Sequence, residues 1–331
     1  MKPGLIKKTF SNYNFRRYII LIGILILMLI GFSTQSSVYV SLANFTNITS
    51  RHAEIGLIAA SMSLVMITGD IDLSVGSVMC FCAFASGSMM QAGIPIPAAV
   101  IAGLAIGAAI GLLNGFMIGV LNMQPVIVTL GTMTAFRGFC YVFRQGGPMR
   151  GLPDESYFEF GNSALFGILP YSFILVIVVF LIFAIAMKFT RFGLDIKAIG
   201  NNASAAAFSG INVKKYRMAL FTLNGFISGM AGLVILSRMR GIEAALGEGY
   251  EFDAITMCLL GGISINGGKG TMFGTFLGIL VIGYLKNGMN IVHVSAYYQS
   301  AILGAIILLA VVIGNLELTH GKKNLVKRFQ K

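Results

Sequence analysis

Two carboxylates stand two residues apart in Thr68-Gly69-Asp70-Ile71-Asp72-Leu73-Ser74-Val75-Gly76, between apolar runs whose combined length barely crosses a bilayer. An acid inside a membrane is costly to keep and functional by default. Asp72 has two readings here. It can cap the helix that follows, accepting backbone N–H bonds at its N-terminus, or it can touch a solute directly. Gly267-Gly268-Lys269-Gly270-Thr271 has the outline of a phosphate-binding loop, but G-x-x-x-x-G-K-[ST] needs Gly where Ile263 stands and Ser or Thr where Gly270 stands. It reads instead as a tight turn between helices. His52, His293 and His320 fall outside or at the margins of the apolar runs, and the sequence contains no H-E-x-x-H and no G-x-S-x-G. Cys80, Cys82, Cys140 and Cys258 lie in apolar stretches without a C-x-x-C pair, as packed thiols do. Neither catalysis nor a metal or cofactor of its own is expected of this chain, and ATP hydrolysis has no motif here.

The remaining polar residues within apolar runs are Asn114, Thr129, Thr132, Thr134, Arg137, Asn224, Asp253 and Lys286. Amides and hydroxyls without a dense array of charge suit a neutral, hydroxyl-rich solute better than an ion. They also suit hydrogen bonding between helices, at about 0.6–2 kcal/mol each. No succession of acids or histidines suggests a proton relay.

The elements that must position these groups follow from composition. Of 331 residues only 11% are charged and 56% are hydrophobic, and 41 glycines come on top. Soluble globular chains reach roughly 45–50% apolar with glycine included, so an ordinary soluble enzyme, a disordered chain and a disulfide scaffold are excluded. A multi-pass membrane protein remains. The net charge of +12 does not point to nucleic acid, because the basic residues gather in three short segments, the pattern of cytoplasmic loops. Against a hydrocarbon core of about 30 Å, ten spans are expected, at 18–34, 54–69, 75–92, 96–121, 125–145, 168–188, 217–238, 251–266, 271–291 and 297–316. The first has no small-residue cleavage site behind it and should remain as an anchor. Segments 33–53 and 146–167 read as loops.

Lys2, Lys7, Lys8, Arg16 and Arg17 place the N-terminus in the cytoplasm, and Lys322, Lys323, Lys327, Arg328 and Lys331 place the C-terminus there. The third basic segment carries Lys188, Arg191, Lys197, Lys214, Lys215 and Arg217. An even number of crossings puts it on the same side, with Asp154, Glu155, Glu159, Glu243, Glu248 and Glu251 opposite. Gly103, Gly107, Gly111, Gly115 and Gly119 recur every four residues, so one helix face is nearly bare backbone, suited to close approach of another helix. Gly270, Gly274 and Gly278 repeat the device, and residues 61–80 align loosely with 229–258 if the second copy carries an insertion. An all-α fold of two inverted five-helix halves is expected, an arrangement common in transporters. The chain then divides into a cytoplasmic N-terminus 1–17, a first half 18–188, a cytoplasmic loop 189–217, a second half 218–316 and a tail 317–331.

Within the loop, Asn201-Asn202 reads as a helix start, Ala203–Ser209 as a short helix and Gly210 as its stop. A compact helix in a basic loop is either something for another protein to grip or a solvated connector. Ser204-Ala205-Ala206-x-x-x-Gly210 resembles the E-A-A-x-x-x-G signature of membrane subunits of bacterial ATP-binding-cassette (ABC) importers, with Ser204 in place of Glu as in the sugar branch. Gly69-Asp70-Ile71-Asp72-Leu73-Ser74-Val75-Gly76 resembles the G-G-I-D-L-S-V-G of ribose/xylose-type permeases, with Asp70 at the second glycine. Asn114-Gly115, Pro125–Arg137, Arg191-x-Gly193, Ala198–Asn202 and Gly261-Gly262 are similar to the same family, and the likeness runs from about residue 18 to 316.

The resemblance implies a ten-helix permease, paired in the bacterial cytoplasmic membrane with a second copy or a paralogue. It implies cytoplasmic ABC ATPase subunits, which bind the ATP and magnesium, and a periplasmic or lipid-anchored sugar-binding protein. Solutes of the family are ribose, xylose, galactose, allose and the furanose autoinducer-2. ATPase coupling is expected at Arg191, Gly193, Ile199, Gly200, Asn202, Ala205, Ala206 and Gly210. The substrate path is expected at Asp72, Asn114, Thr129, Thr132, Phe136 and Asn224. The alternatives are a branched-chain amino-acid-type ABC permease and an ion-coupled secondary sugar transporter.

Overall fold

Inside a bilayer no water bonds the backbone, so N–H and C=O groups must be satisfied within their own segment and helices dominate. The computed structural model describes residues 13–142, 147–152 and 155–329, with side chains described only between 15 and 312. Lys2, Lys7, Lys8, Asp154 and Lys331 lie outside the described residues, as do the side chains of Glu155, Lys322, Lys323, Lys327 and Arg328.

The first half holds α1 (Tyr13–Ser33), α2 (Leu42–Arg51), α3 (Ala53–Ile67), α4 (Val75–Gln91), α5 (Ile96–Gly119) and α6 (Pro125–Val142). A short α7 (Glu155–Asn162) follows, then α8 (Tyr171–Phe189), and α9 (Arg191–Asn201) and α10 (Ala203–Phe208) form the basic loop. The second half holds α11 (Val213–Met239), α12 (Tyr250–Gly261), α13 (Met272–Ile291) and α14 (Ala296–Phe329). Among the described residues, six helices are long and apolar enough to cross a membrane: α1, α5, α6, α8, α11 and α13.

Each expected span coincides with a helix, but four are not among these six: α3 has 15 residues, α4 17 and α12 12, and the apolar stretch of α14 within the described side chains is Ala296–Val312. At 1.5 Å per residue α12 covers roughly 18 Å, well below the hydrocarbon thickness. The helix ends are continued by non-helical chain, 68–74 ahead of α4 and 243–249 ahead of α12. Such backbone is tolerated at membrane depth only inside protein. Accordingly, α3 is buried at every position, and most of α4 and α12 is buried too.

Two segments expected as loops contain structure. Residues 33–53 hold a 3-10 turn (Ser37–Val40) and α2, where the Ser41 hydroxyl accepts the N–H of Asn44 and Asn44 exchanges amide bonds of 2.9 and 3.0 Å with Asn287. Polar residues that misled the hydropathy count are thus bonded to one another. Residues 146–167 hold α7 and two minimal antiparallel pairings. One joins β1 (Met149–Arg150) to β4 (Gly241–Ile242), and the other joins β2 (Ala164–Leu165) to β3 (Leu169–Pro170).

The glycine ridge of α5 meets α11 along an antiparallel crossing. A Cβ at Gly111 would sit 2.3 Å from the Phe221 carbonyl, one at Gly225 2.2 Å from the Gly107 carbonyl, and one at Gly119 2.7 Å from the Lys214 carbonyl. The second ridge, on α13, meets α12: Gly274 against Gly261 and Gly278 against Met257. Gly111→Val therefore forces two backbones apart, and we expect a loss of about 1–3 kcal/mol or more. Gly131→Ala, inside α6 with nothing within 4 Å, should not lower stability and raises it by up to about 1 kcal/mol through helix propensity. Thermal melting of the two variants in detergent, read by size-exclusion fluorescence, separates them.

Candidate functional site

Asp72 lies in the non-helical run ahead of α4, and its carboxylate is bonded by three donors. Oδ1 accepts from the Ser74 N–H at 2.9 Å and the Ser74 hydroxyl at 2.6 Å. Oδ2 accepts from the Asn224 amide of α11 at 2.8 Å. The capping reading holds in part, since Asp72 accepts the N–H of Ser74, the residue at the N-terminal boundary of α4; its other oxygen reaches across to α11. The chain of bonds continues in both directions. Ser61 of α3 donates to Asn224 Oδ1 at 2.6 Å, Asn114 of α5 donates to the Ser74 hydroxyl at 3.1 Å, and Thr132 of α6 donates to Asn114 Oδ1 at 2.6 Å. Five helices are thereby joined by one buried line of hydrogen bonds.

Four of the six residues expected on the path, Asp72, Asn114, Thr132 and Asn224, belong to this line. The other two do not. The Thr129 hydroxyl turns back to the Pro125 carbonyl at 2.9 Å, and Phe136 packs edge-on against Phe81 with ring centroids 4.9 Å apart. Ser61 and Ser74 were missed, because a serine in an apolar run carries no sign of which helix it will face.

Asp70 has a different partner. Arg217, at the start of α11, grips it with two bonds, Nε to Oδ2 at 2.9 Å and Nη2 to Oδ1 at 3.1 Å. A forked pair of this kind fixes orientation as well as distance. Directly beside it lies the loop pair α9–α10. Gly200 sits so tightly on the end of α3 that a Cβ would lie 1.9 Å from the Ile67 carbonyl and 2.4 Å from the Gly268 N–H. That N–H donates to the same Ile67 carbonyl at 2.8 Å. The Gly267–Thr271 turn expected from the failed phosphate motif is thus a seat for α9. Gly193 similarly abuts the Met187 carbonyl, and Ile199 and Ala206 are buried. Arg191, Asn202, Ala205 and Gly210 face outward. Asn202 caps α10 by accepting the Ala205 N–H at 2.9 Å, and Gly210 ends it at φ +88°, the left-handed conformation glycine adopts freely. Phe208, absent from the expected set, is 94% exposed.

A second broken element approaches from the other end of α11. Chain 243–249 runs against α4, where a Cβ at Gly76 would lie 2.3 Å from the Gly247 carbonyl. Its carbonyls need partners, and Arg137 of α6 supplies them, donating to Ala244 at 2.6 Å and Leu246 at 2.8 Å. Farther along, Arg238 pairs with the fully buried Glu54, and Lys286 pairs with Asp253 at 2.5 Å. Among the described residues, no cluster of His, Cys, Asp and Glu is arranged to hold a metal.

With this geometry in place, the comparisons are direct. A family described as "Branched-chain amino acid transport system / permease component" matches residues 44–311. The chain belongs to that family. It is 38% identical over 293 residues to the ribose import permease of Bacillus subtilis, covering 88% of this chain and 90% of that one. To the L-arabinose ABC transporter permease of Azospirillum brasilense it is 31% identical over 293 residues, covering 88% and 86%. To the galactose/methyl galactoside import permease of Haemophilus influenzae it is 33% identical over 325 residues, covering 92% and 94%. No solved structure matches the chain closely enough to compare. The family region includes every residue of the hydrogen-bonded line and all of α9 and α10.

If the line acts as one unit, its members are coupled. In a double-mutant cycle of Asn114→Ala with Thr132→Val, unfolded in bicelles, the coupling energy should be about 0.6–1.7 kcal/mol. A cycle that closes to zero would make the two residues independent.

Proposed function

We propose that this chain is the membrane permease subunit of a monosaccharide importer, moving a pentose or hexose across the bacterial cytoplasmic membrane with power from separate ABC ATPase subunits. The observation that carries this reading is likeness along nearly the whole chain to permeases named for ribose, arabinose and galactose. The missing phosphate loop is consistent with hydrolysis on another chain. In this reading the chain crosses the membrane ten times as two inverted halves with both termini cytoplasmic. It pairs with a second permease and receives sugar from a binding protein on the outer side.

The mechanism follows from contacts on the cytoplasmic side. An ATPase grips α10, and α9 moves with it because only Asn202 separates the two helices. Gly200 leaves no slack against Ile67 and Gly268, so a push on α9 passes as backbone displacement to the end of α3. Three residues on, Asp70 is held to the start of α11 by Arg217, and two beyond that Asp72 holds the polar line. Arg191, Gly193, Ile199, Gly200, Asn202, Ala205, Ala206 and Gly210 are the coupling residues. Asp72, Asn114, Thr132 and Asn224, with Thr129 and Phe136 beside them, border the path. Their hydrogen bonds to one another close it, and separating the helices exposes the same donors and acceptors to sugar hydroxyls.

The exposed ring of Phe208 is the natural knob for a partner's groove. Phe208→Asp should remove the ATPase from permease purified gently from native membranes while leaving permease abundance unchanged, and a bulky replacement of Gly210 should abolish uptake in the same way. An ATPase retained by Phe208→Asp at wild-type stoichiometry would overturn the docking assignment.

A further inference from the structure

The polar line is closed upon itself, whereas an open cleft of mixed polar and apolar lining lies on the other side of α12. It has a volume of about 390 Å³ and is walled by α12, α13 and α14, within the roughly 300–1,000 Å³ of small-molecule sites. Asp253 and Lys286 form its charged wall, and their side chains are 12% and 21% exposed. Lys286 lies 14 residues into α13, roughly 21 Å along its axis, so the pair sits at membrane depth. Ionisable groups at that depth face the bundle interior or water, not hydrocarbon.

The lining has the chemistry of polyol recognition. The ion pair uses one ammonium donor and Oδ2 of Asp253; among the described residues neither group makes a further hydrogen bond, which leaves two donors and Oδ1. The Ser300 hydroxyl donates to the Ala296 carbonyl of its own helix at 3.1 Å, so it presents lone pairs outward as an acceptor, while Thr256 is fully buried with its hydroxyl on the Phe252 carbonyl at 2.6 Å. Phe252 is 55% exposed and, with Leu303 and Ile307, gives an apolar wall for ring C–H groups. Glu248, held by the Tyr141 hydroxyl at 3.2 Å, adds a second carboxylate against one ammonium. That balance disfavours anionic solutes such as sugar phosphates. α12 also carries Glu251 toward Gly76 of α4, so the cleft and the Asp72 line flank one short helix.

We propose that this cleft is a hydrated binding subsite for a neutral monosaccharide, with Asp253 and Lys286 bonding hydroxyls and Phe252 stacking on the ring. The proposal rests on the monosaccharide-importer reading. The test uses the full importer in proteoliposomes with radiolabelled ribose, arabinose and galactose. Lys286→Met and Phe252→Ala should each raise KM for the transported sugar about tenfold or more with kcat within about twofold, a ground-state binding loss. Ser300→Cys gives an independent readout, because the four native cysteines are buried. A membrane-impermeant methanethiosulfonate should label it, and the transported sugar should slow labelling about fivefold or more, as occupancy of a site does. Unchanged KM in both variants, or labelling that sugar does not slow, overturns the subsite while leaving the importer reading intact. A thiol unreactive in the bilayer but labelled in detergent puts lipid in the cleft and overturns it too. A wild-type importer that moves none of the three sugars removes the importer reading, and this inference with it.

Discussion

A carboxylate buried among helices needs hydrogen-bond donors, and the arrangement around Asp72 follows from that need. Among the described residues no cation bonds it; Ser74 supplies two donors and Asn224 the third. For Ser74 to offer both its N–H and its hydroxyl to the residue two places earlier, the chain must be non-helical there. The first turn of α4 is therefore placed inside the protein and α4 is short. For Asn224 to reach the other oxygen, α11 must pass close by. That crossing is possible because α5, packed against both α4 and α11, has glycines where side chains would hold α11 away. Polar satisfaction and close packing are one constraint here, since neither Asn114 nor Asn224 could reach the line across helices kept apart by leucines.

The two non-helical segments satisfy their backbones by different means. Chain 68–74 uses side chains of its own, Asp72 accepting the Ser74 N–H and Thr68 donating back to the Val65 carbonyl at the end of α3. Chain 243–249 has a sparser supply and borrows Arg137 from α6 for two of its carbonyls. A long cation placed on a neighbouring helix is the costlier solution, because the guanidinium must itself stay solvated by those carbonyls. The second segment meets the first turn of α4 where Gly76 faces Gly247, backbone against backbone. Any side chain there would part α4 from the start of α12.

Much of this was legible in the sequence. The glycine period located the close crossing, the basic segments located the loop with its capped helix, and the paired acids located the break before α4. Asn202 and Gly210 bound α10 as their types require. The partners were not legible. Nothing in the spacing of Ser61, Asn224 and Asp72 tells that they converge, because contacts between distant helices depend on crossing angles that one sequence does not display. The loops at 33–53 and 146–167 were misread for a related reason. Asn44 looks like solvent-facing polarity until Asn287 is placed opposite it. Hydropathy measures a residue against water, whereas these amides are measured against each other.

The same reasoning explains why the tight contacts lie where they do. Displacement is passed on by groups that cannot slip, and the least compliant contacts on the loop side are between backbones: Gly200 on Ile67, Gly268 on Ile67, and Gly193 on Met187. A side-chain contact would take up a push by changing rotamer, since staggered wells are separated by small energies. A carbonyl pressed against a glycine has no such freedom. From Ile67 the chain reaches Asp70 and Asp72 within five residues, and each acid is tied to a different point on α11, Arg217 near its start and Asn224 near its middle. In the proposed coupling, a shift at α9 therefore reaches α11 at two points along its length. Two attachments at different heights constrain tilt as well as translation. A single ion pair at the helix end would leave tilt free.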